Sequence, residues 1–120
     1  MARIRHIALL TKNTEKLSEF YKTAFGLKEV ARSGEPSEHG QAIYVSDGHI
    51  NLAILPARNR REGIYHFGME VDDIEKLKSV CKEFGAASEI QKRPANREAE
   101  YRVADPDGNL IDLSQHGWPV

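Results

Sequence analysis

Two histidines 60 residues apart, and one aspartate in an apolar strand near the C-terminus, are the side chains of this chain best suited to chemistry. His6 opens an extended apolar stretch, and His66 opens a second one at the equivalent place in an internal repeat. Asp112 sits in the sequence Asn-Leu-Ile-Asp-Leu, where a carboxylate is costly to bury unless it is paired or bound to a cation. The matching strand of the first half reads His-Ile-Asn-Leu and places Asn51 at the corresponding position. Two neutral imidazole nitrogens and one carboxylate oxygen suit a divalent ion with open coordination positions. Non-haem Fe(II) and Mn(II) chemistry uses such a set, and catalytic zinc can use it as well.

These residues must be positioned by the repeat itself. With His6 set on His66, Glu15-Lys16-Leu17 falls on Glu75-Lys76-Leu77, and Asp47-Gly48 on Asp107-Gly108. Each half begins with a strand-like stretch, Ile4–Leu10 or Tyr65–Val71, and continues into an amphipathic helix. Leu17, Phe20, Tyr21 and Ala24 line one helix, and Leu77, Val80, Cys81 and Phe84 repeat that spacing in the other. Asn13 or Thr14, and Asp72 or Asp73, are the candidate N-caps; Gly26 and Gly85 suit the position just beyond each helix. Three further strands follow in each half. They are Leu27–Arg32, Gln41–Ser46 and His49–Leu55, then Ala87–Gln91, Glu100–Ala104 and Asn109–Gln115. Turns are expected at Gly34-Glu35-Pro36, at Asp47-Gly48 and at Asp105-Pro106-Asp107-Gly108. The expected architecture is α+β, with two tandem βαβββ modules forming a curved mixed sheet around a central cleft. One domain spans 1–120: module one covers about 3–55, a polar linker about 56–63, and module two about 64–116.

Composition narrows the function. Lys plus Arg total 17 and Asp plus Glu total 18, a net charge of −1 that gives no electrostatic case for nucleic acid or an anionic membrane. No apolar run approaches the roughly 20 residues of a membrane span. The basic start Met-Ala-Arg-Ile-Arg lacks an apolar segment behind it, so no signal peptide is expected and the chain reads as cytoplasmic. Cys81 is the sole cysteine, so no internal disulfide forms, and it reads as a small residue of the helix face. His39, His49 and His116 read as surface groups.

Several motifs together resemble the vicinal oxygen chelate superfamily, which includes glyoxalase I, methylmalonyl-CoA epimerase, extradiol dioxygenases, fosfomycin-modifying transferases and bleomycin-resistance proteins. They are His6-Ile-Ala-Leu, Phe20-Tyr21-Lys22 with Phe25-Gly26-Leu27, Tyr65-His66-Phe67-Gly68, and the closing run from Asp105 to Leu113. The resemblance implies that His6, His66 and Asp112 are metal ligands, with Asn51 at the place of a fourth ligand in some branches. It also implies a metal that chelates two neighbouring oxygens of a small-molecule substrate. A homodimer with sites at its interface is implied too. Two residues depart from the pattern. Asp112 stands where Glu is usual, and Asn51 has no carboxylate to act as the base of an isomerase.

The expected function is that of a divalent-metal-dependent enzyme of dioxygenase, lyase/isomerase or thiol-transferase type. The ion is Fe, Mn, Zn, Ni or Co. The alternative is a metal-free protein that sequesters a small molecule, as bleomycin-resistance proteins do. Asn51, Arg93 and Arg97 are the candidate substrate-binding residues, the two arginines for an anionic substrate. Glu70 shares a strand face with His66 and reads either as an acid or base of the site or as a solvated strand-end group.

Overall fold

The computed structural model describes residues 2–120. Its elements run β1 (Arg3–Thr11), α1 (Thr14–Phe25), β2 (Lys28–Ser37), β3 (Gly40–Ser46), β4 (Asn51–Pro56), β5 (Gly63–Glu70), α2 (Ile74–Glu83), β6 (Gln91–Lys92), β7 (Tyr101–Ala104) and β8 (Leu110–Ser114). This is βαβββ twice, an α+β fold whose strands pair both parallel and antiparallel. The chain divides into two compact units. One comprises His6–Tyr65 with Pro119–Val120, and the other His66–Trp118 with the residues up to Arg5.

In the first unit the strand order is β2-β3-β4-β1, with β1 parallel to β4 and the other pairs antiparallel. Strand side chains alternate between faces, so one face can be closed by a helix while the other is kept for chemistry. Leu17 and Tyr21 of α1 cover Ile43, Val45 and Ile54 on one face. Ala8, Tyr44 and Ala53 form a second cluster from the alternate positions. His6 and Asn51 have the parity of Ala8 and Ala53, and therefore lie on the face away from α1. The helix itself is set by its ends. Asn13 caps it, its side chain accepting from the Lys16 N–H at 3.0 Å, and Gly26 stops it at φ 71°.

The second unit repeats the logic with the order β5-β8-β7-β6. Ile74 and Leu77 of α2 pack with Val71, Val103 and Leu113, while Met69, Tyr101 and Ile111 complete that side. Asp73 caps α2 by accepting from the Lys76 N–H at 3.2 Å. Two expectations about elements fail. Gly34-Glu35-Pro36 is not the turn between β2 and β3; β2 runs on to Ser37, absorbing these residues as a register shift between Ser33 and Ser37. The reversal comes at Glu38-His39 instead. The strand expected at Ala87–Gln91 shrinks to Gln91–Lys92, because the Ala87 N–H turns to the carbonyls of Ala104 and Asp105.

Candidate metal centre

In the second unit, strand register assembles three polar side chains on the face away from α2. Parallel pairing of β5 with β8 sets Gly68 beside Asp112, and antiparallel pairing of β7 with β8 sets Arg102 on its other side. His66 precedes Gly68 by two residues and so shares its face. His66 Nε2 lies 3.1 Å from Asp112 Oδ2, and Arg102 Nε donates to Asp112 Oδ1 at 2.5 Å. His66 and Asp112 are buried, at 6% and 7% exposure. Burial alone pushes the Asp112 carboxyl up. The hydrogen bonds from His66 and Arg102, and their charges, outweigh it and hold the group down at about 2.

In the first unit, the register of β1 on β4 pairs His6 with Asn51 on one face. Both are buried, and Asn51 is wholly closed to solvent. Asn51 Nδ2 donates to the Pro119 carbonyl at 2.8 Å, which turns Oδ1 toward His6 Nδ1 at 3.0 Å. An amide oxygen only accepts, so in this bond the hydrogen lies on His6 Nδ1, and the neutral ring then has its lone pair on Nε2. That is the tautomer a metal-ligating histidine adopts when its other nitrogen is held by an acceptor.

The residue types suit a divalent first-row ion: an imidazole offers a nitrogen donor once it carries no hydrogen on that atom, Asp112 offers an ionised carboxylate oxygen, and His6, His66 and Asp112 are all buried. Arg93 and Arg97 fall in the segment before β7. The Arg93 N–H bonds the Glu100 carbonyl and the Arg97 N–H bonds the Pro94 carbonyl. The guanidinium that meets Asp112 is that of Arg102. Its position is readable from the sequence: a hairpin closed by Asp105-Pro106-Asp107-Gly108 sets residue 102 against residue 112. Glu70 lies 3.8 Å from Arg5 and packs on Gly117, whose lack of a Cβ makes space for the carboxylate. The role of the C-terminal tail carries no signal in the sequence, since it is a backbone carbonyl that acts.

Comparison with known proteins places the chain in a family. Metapyrocatechase 2 of Cupriavidus necator is 26% identical over 117 residues, which cover 93% of this chain and 36% of that protein. The 2,3-dioxygenase LapB of Pseudomonas sp. KL28 superposes with a TM-score of 0.70 at 27% identity, over 98% of this chain and 42% of its own. This chain thus spans less than half the length of either. Methylmalonyl-CoA epimerase of Mycobacterium tuberculosis superposes with a TM-score of 0.69 at 14% identity, over 92% of this chain and 85% of that one, a likeness of fold alone. The family model of the Glyoxalase/Bleomycin resistance protein/Dioxygenase superfamily matches residues 3–113. That match takes in His6, Asn51, His66, Arg102 and Asp112, and the chain belongs to this superfamily.

Proposed function

We propose that this chain is a metal-dependent enzyme in which His6, His66 and Asp112 hold one divalent ion, and that its substrate is a small molecule offering two neighbouring oxygens. The observation that carries the reading is the His66–Asp112 pair. A buried imidazole nitrogen and a buried carboxylate oxygen stand 3.1 Å apart, with Arg102 gripping the other carboxylate oxygen from behind. Two neutral nitrogens and one carboxylate leave a bound divalent ion with net positive charge and open positions. When bound, such an ion would supply Lewis acidity that draws electron density from chelated oxygens and, as Fe(II) or Mn(II), would support dioxygen activation.

The chain's own residues narrow the reaction class. Asn51 has no ionisable group, and its amide is turned to His6 and Pro119, so it does not remove a proton beside a carbonyl. That counts against the isomerase branch and toward ring-opening of an ortho-dihydroxy aromatic. The two relatives at 26% and 27% identity carry dioxygenase-type names and support the same direction. Arg102 orients Asp112 and offsets its charge. The half-buried Arg93 and exposed Arg97 remain the groups proposed to attract an anionic substituent on the ring.

A second reading rests on the same carboxylate. Arg102 neutralises Asp112 without any ion, as a metal-free binding protein would require. Oxygen uptake separates the two. Protein reconstituted anaerobically with Fe(II), and in parallel with Mn(II), is mixed with catechol in an oxygen-electrode cell while the yellow ring-opened product is followed by absorbance. Oxygen consumption that matches product and disappears in His66→Ala is expected. Catechol binding by calorimetry without turnover under either metal would overturn the dioxygenase reading.

A further inference from the structure

We infer that Asn51 is a positioning residue which, clamped by the carbonyl of Pro119, fixes His6 in the Nδ1–H tautomer and so presents its Nε2 lone pair as a donor. The inference rests on reading His6 as a metal ligand, but its first test does not need the metal. Asn51 is fully closed to solvent in a strand whose neighbours on the same face include Ala53. A buried amide is costly unless both of its ends are satisfied. Nδ2 donates to Pro119 at 2.8 Å and Oδ1 accepts from His6 at 3.0 Å.

The order of these two bonds matters. A primary amide can rotate by half a turn and offer N–H where it offered C=O. In that orientation it would face His6 with a donor, and the imidazole would answer with a bare Nδ1 and a hydrogen on Nε2. That ring cannot ligate through Nε2. The carbonyl of Pro119, which only accepts, decides between the orientations: it requires the NH2 group on its side. The backbone carbonyl of Pro119 thereby reads out at a ring nitrogen of His6, through one side chain. A bulkier or apolar residue at 51 would break both bonds at once.

Ring 15N shifts of uniformly labelled, metal-free protein at about pH 8, well above the ordinary histidine range, report the tautomer directly; His6→Gln assigns the His6 signals. Wild type is expected to show His6 with its hydrogen on Nδ1. Asn51→Leu is expected to move it toward the Nε2–H form favoured by free histidine and to weaken Mn²⁺ or Zn²⁺ binding by calorimetry about 10- to 100-fold. Asn51→Asp keeps an acceptor for His6 but sets two acceptors against each other at Pro119. It should hold the tautomer while the 1H–15N NOE of Val120 falls. If Asn51→Leu does not fold, wild type and Asn51→Asp still decide the matter. An Nε2–H His6 in wild type, an unmoved tautomer in folded Asn51→Leu, or an unmoved Val120 in Asn51→Asp would overturn the proposal. Should wild type show the expected tautomer yet take up no ion, the metal reading fails and the positioning role stands.

Discussion

At the scale of single residues, the charge on Asp112 depends on its two partners. Its carboxyl is held at about 2 against an ordinary 3.8, so its contribution to stability is present above about pH 4 and is lost as pH falls toward 2. A shift of that size corresponds to about 2 kcal/mol. Urea unfolding of metal-free protein at pH 6 and pH 2.5 is expected to show wild type losing about that much more than Asp112→Asn; equal losses would mean the pairing contributes nothing. Arg102→Met removes one partner of a pair whose side chains are 15% and 10% exposed. It should cost roughly 3 kcal/mol, since the buried carboxylate loses its guanidinium partner and keeps only the His66 contact of the pair described above. Added Mn²⁺ should then raise the melting temperature of Arg102→Met more than that of wild type, because the ion replaces the missing cation. His66 and Asp112 were legible in the sequence from their place in the repeat. Arg102 was legible only through hairpin register, and Pro119 not at all, because a tail carbonyl has no residue signature.

At the scale of elements, the site depends on strands presenting one face while a helix closes the other. Side-chain periodicity and capping residues made both helices and most strands readable, because each signal is local: Asn13 and Asp73 cap through their own side chains. The errors came where pairing overrides local preference. Gly34 and Pro36 favour a turn, yet β3 holds them in β2 by a register shift. The late start of β6 after α2 follows from the Ala87 N–H bonding to the carbonyls of Ala104 and Asp105, which no local pattern encodes. Asn13→Ala should lower stability by about 1 kcal/mol in urea melts. Gly40→Ala should cost more. It combines φ 98° with a Cβ that would run into the Thr14 hydroxyl at the start of α1, and Gly48→Ala, at φ 96° with open space, isolates the backbone part of the effect.

At the scale of the molecule, each βαβββ unit carries part of the proposed donor set on its own strands: His6 on β1 beside Asn51 in one, His66 and Asp112 on β5 and β8 in the other. The homodimer that the family resemblance implies is a proposal about this chain, and sedimentation equilibrium should return twice the chain mass if it forms. Phe20, Phe25, Ile64 and Phe84 are all more than half exposed, apolar surface that an assembly has available to cover. Metal binding by His6, His66 and Asp112 is tested by elemental analysis of protein purified without chelator or histidine tag, beside His66→Ala. Close to one Fe, Mn, Zn, Ni or Co per chain is expected in wild type and is lost in the variant. Wild type without bound metal, whose melting temperature no added divalent ion raises, would contradict it.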